Sequence, residues 1–251
     1  LFNKDEIVRI YELLKKSIDS IILIHYESFV IAKKYETWMD TDARDGARIE
    51  LQVLFLSMIS FARELSIRFS DPISTKFYLN KEKEFLELVK KSFFEDSILL
   101  DGIYDRTVRP NVFLAYYFYP RLLSDKEWEK VFLKSIDALF LDWGGFSTID
   151  KKDSRFTGNH TGMNNYSYHN GDSWYFLNAI AAICMQRVNK QKFKKYIDKI
   201  VNASTEEILH FGIIGYHAEI SSANKFESNG CLAQAWSSAL YIEMIDELYA
   251  N

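Results

Sequence analysis

Glu219-Ile220-Ser221-Ser222-Ala223-Asn224-Lys225-Phe226-Glu227-Ser228-Asn229-Gly230-Cys231-Leu232-Ala233-Gln234-Ala235-Trp236-Ser237 begins as an irregular polar run and ends in an apolar one. A lone acid opens it, Gly230 breaks it, and residues 232–248 then predict a last, apolar helix with Gln234 and Trp236 in its first turn. A loop held against the start of a buried helix is a common place for a catalytic carboxylate, and equally for a plain turn. For Glu219 alone the plain reading is a solvated loop acid, and Glu227 competes with it. The chain upstream has to decide.

Upstream, helices alternate in character. Residues 4–24 place Ile7, Ile10, Tyr11, Leu14, Ile18 and Ile21 at helical spacing behind an acidic first turn. Ser28–Ala32 reads as a short strand or extended loop, and Thr37–Gly46 as a charged loop. A helix over 48–65 is apolar nearly all round, which marks an inner helix. Asp71-Pro72 reads as a turn, and residues 80–94 as an amphipathic helix of alternating Lys and Glu. Arg109-Pro110 opens a wholly apolar helix over 112–119. Ser124-Asp125-Lys126-Glu127 is a capping box for a helix over 125–140, which Trp143-Gly144-Gly145 ends. Residues 146–173 form the longest polar stretch, and its aromatics (Phe156, Tyr166, Tyr168) argue for order rather than disorder. Asp172-Ser173 caps a helix to about Val188, and residues 191–209 form a Lys-rich amphipathic one. About eight helices result, alternately apolar and amphipathic, with long loops between them. That is the pattern of an all-α toroid of inner and outer helices. Residues 1–251 read as a single domain, since no linker composition cuts them.

Composition narrows the chemistry. With 251 residues and 48% hydrophobic content the chain can bury a sizeable core. Its 16% aromatic content suits such a core or a site that stacks on sugar rings. A net charge of -4 with mixed signs provides no basic footprint for nucleic acid. No apolar run is long enough to span a membrane, and the first residues do not resemble a signal peptide. The missing initiator Met suggests a piece of a longer chain. Cys184 and Cys231 both fall in apolar helical patterns and read as buried free thiols, which points to the cytoplasm. The sequons at Asn159, Asn165 and Asn202 matter only in a secreted protein. No metal-ligand cluster, phosphate-binding loop or nucleophile elbow is present in the sequence. What remains in the loops is carboxylates, aromatics, Arg and amides, the groups that bind and hydrolyse carbohydrate.

Four motifs occur in one order: Thr37-Trp38-Met39-Asp40, Arg109-Pro110-Asn111, Tyr168-His169-Asn170-Gly171-Asp172-Ser173-Trp174 and Gly230–Ser237. Together they resemble the amylo-α-1,6-glucosidase (glycogen-debranching) family, relatives of the glucoamylase-like (α/α)6 barrels. The resemblance implies inverting hydrolysis of an α-glucosidic bond in an oligosaccharide or polysaccharide, without metal or organic cofactor. It assigns Asp40 as the acid that protonates the leaving oxygen and Glu219 as the base that activates water. Without the resemblance Asp40 reads as a turn cap. An inverting pair needs one protonated and one ionised carboxyl, and the Trp38-Met39 neighbourhood is expected to desolvate Asp40. Arg109 matches a position that holds hydroxyls or orients a carboxylate. Tyr168 and His169 match sugar-contacting positions, and Trp38, Asp172, Trp174, Gln234 and Trp236 join them as substrate-binding candidates. Glu50 is a candidate substrate contact or a support behind one. The sequence departs from the family in a short Asp40–Glu50 segment and in His169-Asn170-Gly171, where the family has His-Gln-Gly. A full ring holds twelve helices in about 400 residues, so the N-terminal part of the barrel is expected to be absent. The apolar faces left open call for self-association or an upstream domain. Other readings of the same residues are a non-catalytic carbohydrate-binding domain and an interaction scaffold.

Overall fold

In the computed structural model, which describes residues 2–25 and 28–250, the apolar and amphipathic segments become separate inner and outer helices. The first, α1 (Lys4–His25), buries only Tyr11 and Ile18 and lies outside α2 (Ile49–Arg68). Side chains of α2 are apolar on most sides, and Val53, Leu56, Ile59 and Ala62 are sealed from solvent. Outer α3 (Pro72–Phe93) packs on α2, and outer α5 (Asp125–Leu139) packs on α4 (Asn111–Phe118) and α6 (Tyr175–His210). The inner row runs α2, α4, α6, α7 (Ala235–Tyr249), each in contact with the next.

The long α6 is two helices in one. From Tyr175 to Met185 every residue is buried. At Asn189 the backbone leaves helical geometry (φ -164°, ψ 87°), and the Asn189 side chain accepts from Lys192 N–H at 3.1 Å, capping the second half. Phe193, Ile197 and Ile200 turn that half's apolar face inward. The expected pair of helices around Val188 is thus observed, joined at Asn189.

Four long connections, residues 26–48, 94–110, 140–174 and 211–234, lead from an outer to an inner helix. By the alternation they gather at one end of the helices, and the bonds among them (Ile103 to Ala47, Asp150 to Val108, Tyr168 to Glu219) show them in contact. Three two-residue antiparallel pairs stiffen them. In the first, β1 (Ile31–Ala32) meets β2 (Gly46–Ala47), and in the second β3 (Phe94–Glu95) meets β4 (Ile98–Leu99). In the third, β5 (Ser173–Trp174) meets β6 (Ile220–Ser221).

Several boundaries differ from expectation. Helix α3 starts at Pro72, not near residue 80, because Asp71 accepts from Ser74 N–H at 3.0 Å and Pro72 costs nothing at the first helical position. Helix α5 ends at Leu139, before Trp143. Helix α6 starts at Tyr175 with an extended Trp174 at its cap, so Asp172 and Ser173 are not its caps. Gln234 is the cap of α7 rather than part of its first turn, and Cys231 is exposed in the preceding turn. Cys184 is buried in α6, and both thiols are free. One hydrophobic cluster runs from Tyr11 to Leu248. On the concave side the inner helices leave an apolar trough of about 360 Å3, lined by Leu51, Leu54, Leu114, Tyr117, Ile180 and Leu240 among others.

Candidate active site

The loop carrying Asp40 is closed at its base by the pairing of Ile31 with Ala47 and Ala32 with Gly46. Behind it lies a buried ion network. Arg44 forks onto Glu50 (2.8 and 3.3 Å) and Asp101 (2.8–2.9 Å), and Arg48 reaches Asp101 (3.2 Å) and Asp105 (2.6 Å). Burial opposes the charge on Arg44, yet Asp101 and Glu50 hold its pKa above the usual arginine value. Burial pushes Glu50 upward against the pull of Arg44. Asn111 donates to Asp101 at 2.7 Å and accepts from Trp38 Nε1–H at 2.8 Å, which fixes the indole two residues before Asp40. Glu50 is therefore committed to Arg44 and stands behind the site.

Arg109 joins this loop to the next. Its guanidinium is buried, bonds the Asp42 carboxylate, and donates to the carbonyls of Thr148 (3.0 Å) and His169 (2.5 Å). His169 in turn lies flat against Trp174, with ring centroids 5.2 Å apart and planes 6° apart, and meets the edge of Trp38. Its imidazole is fully buried, and neither ring nitrogen has a hydrogen-bond partner among the described residues. Burial, with Arg109 and Arg44 nearby, lowers its pKa to about 3, so it is neutral at pH 7. The Asp40 carboxylate stands 3.6 Å from His169 Nε2, beyond hydrogen-bond reach, and its side chain is 71% exposed. The desolvation expected from Trp38-Met39 is not present, because Met39 turns into the core while Asp40 turns out.

Glu219 arrives on a different loop, the one between α6 and α7. Its backbone is held between β5 and the segment 229–231: Tyr175 N–H donates to its carbonyl at 3.2 Å, and its own N–H donates to Cys231 O at 2.8 Å. The carboxylate oxygen Oε2 accepts from Tyr168 O–H (3.1 Å) and Cys231 N–H (2.9 Å). Burial and the adjacent Glu219 push the Tyr168 pKa up to about 12. Gly230 makes this closeness possible, since it sits at φ +68° and a Cβ there would lie 2.4 Å from Glu219 Oε2. Glu227 instead bonds Asn229 (3.0 Å) and lies 3.6 Å from Lys225.

The two acids thus flank consecutive residues, Asp40 beside His169 and Glu219 on Tyr168. Trp38, Trp174, Phe176 and Trp236 complete a connected aromatic floor, with Trp236 stacked on Phe176 at 4.3 Å. Trp174 is buried inside that floor and Trp236 is 38% exposed. Asp172 lies behind, accepting from Ser167 (2.7 Å) and paired with His160 (2.7 Å). Burial raises its pKa despite these partners. Gln234 is occupied at its helix cap, with its side-chain oxygen on Ala235 N–H at 3.1 Å. Sequence reading did not single out Asp42, Asp101 or Phe176. Asp42 had no local signal, because its partner Arg109 is 67 residues away. Asn111 stood inside a quoted motif and could have been found there. Among the described residues no group of His, Cys, Asp or Glu is arranged to hold a metal ion.

With this geometry in hand, comparison with known proteins is direct. A glycosidase variant in complex with glucose superposes with a TM-score of 0.63 at 12% identity, over 86% of this chain and 55% of that one. A sialidase superposes with a TM-score of 0.69 at 12% identity, over 97% of this chain and 24% of that one. The GH63 mannosylglycerate hydrolase of Thermus thermophilus, in complex with glucose, gives 0.57 at 11%, over 82% and 47%. At these identities the likeness is one of fold, and the chain spans about half the length of the first and third. No curated protein sequence matches significantly. The family profile described as amylo-alpha-1,6-glucosidase matches residues 4–243. The chain belongs to the amylo-alpha-1,6-glucosidase family.

Proposed function

We propose that this chain is a glycoside hydrolase, or part of one, that cleaves α-linked glucose from a glycogen-like glucan with inversion, Asp40 acting as acid and Glu219 as base. The observation that carries this reading is the convergence of both carboxylates, from two different loops, on the consecutive residues Tyr168 and His169. Each carboxylate suits its role. Two donors anchor Glu219 Oε2 and leave Oε1 without a hydrogen-bond partner among the described residues, free to take a proton from an attacking water. A neutral His169 does not form an ion pair with Asp40, so no charge beside it on that ring competes with a glycosidic oxygen for the Asp40 carboxyl. A bound sugar ring would supply the desolvation that the open Asp40 lacks. Trp236 and the edge of Trp38 offer apolar faces for that ring, and the free thiols suit a reducing compartment such as the cytoplasm.

The test is the release of glucose from α-1,6-, α-1,4- and α,α-1,1-linked glucosides, with the anomer identified by proton NMR. β-Glucose as first product is expected. Asp40→Asn and Glu219→Gln are each expected to lower turnover by about 10²–10⁴-fold. α-Glucose as first product, or full turnover in either variant, would remove the inverting pair. A second reading, a glucan-binding domain without turnover, draws on the chain's half-length relative to the glycosidases. Glucan binding with no glucose release would establish it.

A further inference from the structure

Outside the candidate active site, a second cavity opens in the loop layer between residues 140–156 and 223–226. Its volume is about 340 Å3, and it is lined by Trp143, Phe156 and Phe226 with Asp142, Lys151 and Asn224. We propose that it is a second saccharide-binding site, taking a neutral stretch of the same glucan whose end reaches Glu219; the identity of the sugar rests on the function proposed above.

The aromatic wall is rigid before any ligand arrives. Trp143 is stacked on Phe226, with ring centroids 5.3 Å and planes 29° apart, and its Nε1–H donates to Ala223 O at 3.1 Å. A fixed aromatic plane is what the apolar face of a pyranose needs, because little side-chain entropy is lost on binding. The polar rim is unsatisfied in a revealing way. Asp142 is exposed and has no hydrogen bond or ion pair among the described residues. Lys151 donates to Phe140 O at 2.7 Å and pairs with no acid among the described residues. These opposite charges line one cavity without pairing with each other. Asn224 adds an amide whose N–H2 donates to Asn159 at 3.2 Å. Acceptor, donor and amide together match a row of hydroxyls, which both donate and accept. The rim's charges also balance, which favours an uncharged ligand over a phosphate or a cation. The volume falls in the range of small-molecule sites, roughly 300–1,000 Å3.

Its place in the chain supports a link to the candidate active site. Ala223 and Asn224 follow Glu219 through β6, and Asn224 N–H donates to Gly158 O at 2.8 Å. Residue 158 lies two positions before His160, the partner of Asp172 behind Tyr168. The cavity and the acids therefore share two loops at one end of the arc.

The test uses maltoheptaose as probe, titrated calorimetrically into Glu219→Gln protein so that turnover does not interfere, together with hydrolysis of a disaccharide by proteins with an intact Glu219. Asp142→Ala, at an exposed position, is expected to weaken maltoheptaose binding about tenfold, and Trp143→Ala to do the same or more. Trp143→Phe keeps a ring and should keep most of the binding. Disaccharide turnover should stay unchanged in Asp142→Ala. Unchanged maltoheptaose binding in both Asp142→Ala and folded Trp143→Ala overturns the second site while leaving hydrolysis standing. Cavity-dependent binding in a chain that hydrolyses no glucoside keeps the second site and sinks the catalytic reading. Absence of both binding and hydrolysis sinks both.

Discussion

Gly230 carries a consequence out of proportion to its size. Adding one methyl group places a carbon 2.4 Å from Glu219 Oε2, in a backbone conformation (φ +68°) that L-residues rarely adopt. Gly230→Ala is expected to cost about 1–2 kcal/mol of stability. The larger effect should be on turnover, which is expected to fall by about 10²-fold as the carboxylate is pushed off its two donors. Circular dichroism and kcat on one preparation check both; an unchanged kcat would show that the position of Glu219 does not matter to the reaction. His169 makes a different prediction, through pH. Its folded pKa of about 3 lies below the unfolded value of about 6.5, so between these values the unfolded chain binds the extra proton. Stability from this group is therefore complete above about pH 6.5 and is lost as pH falls, at up to about 1.4 kcal/mol per unit. Asp40, Arg109 and Arg44 are the charged groups nearest the ring; both arginines repel a proton on it, and with burial they hold it neutral despite the exposed Asp40 carboxylate 3.6 Å away. Denaturant midpoints between pH 7 and 5 should fall less steeply in His169→Gln than in wild type. Equal slopes would mean that His169 is not held neutral.

At the scale of elements, the site depends on staples between segments far apart in sequence. Glu207, at the end of α6, is fully buried 2.6 Å from His217, accepts from Ser228 O–H at 2.6 Å, and lies 3.3 Å from Ala218 N. It thereby grips Glu219's own segment at Ala218 and the segment leading into Asn229–Cys231 at Ser228. Glu207→Gln is expected to lower stability by about 1–3 kcal/mol, because it leaves buried polar partners unsatisfied. It should also lower kcat with a smaller change in KM, because Glu219, the proposed base, rather than the aromatic floor is displaced. Loss of stability with kinetics intact would mean that the grip does not reach Glu219. The second staple is the Arg44–Glu50–Asp101 network. Glu50→Ala leaves Arg44 with one carboxylate fewer in a dry setting, and the expected cost is about 3–5 kcal/mol. A thermal melt checks this. A variant with wild-type stability and altered KM would instead return Glu50 to the role of substrate contact.

For the whole molecule, the open concave face is the unusual feature. Leu54 and Trp236, which line it, are more than a third exposed, and the trough between the inner helices is nearly all apolar. Monomeric proteins rarely leave a contiguous apolar surface of this kind uncovered. The folded chain is expected to bind an apolar fluorescent dye in native buffer, with Leu54→Ser and Leu240→Ser together weakening the signal. No dye binding by a folded monomer would show the face to be closed in solution.

The helices were legible in the sequence because their causes are local. Apolar residues at helical spacing, the capping box at Ser124 and the proline before Asn111 placed most of them, and they even separated the halves of α6 that meet at Asn189. The two errors at Asp71-Pro72 and Asp172-Ser173 share one origin. Asp followed by a breaker reads alike whether it caps a helix or not, and only its partner tells the two apart: Ser74 N–H for Asp71, Ser167 and His160 for Asp172. The motifs likewise named the candidate residues without saying how they stand. That Glu50 answers to Arg44, that Gln234 is spent on a cap, and that Glu219 rather than Glu227 bonds Tyr168 depend on contacts between distant loops. The sequence determined which segments are helical and which face of each is apolar, because helical propensity and periodicity act over a few residues. Only the tertiary structure decided what each carboxylate stands beside, because hydrogen bonds and burial are set by side chains that packing brings together from across the chain.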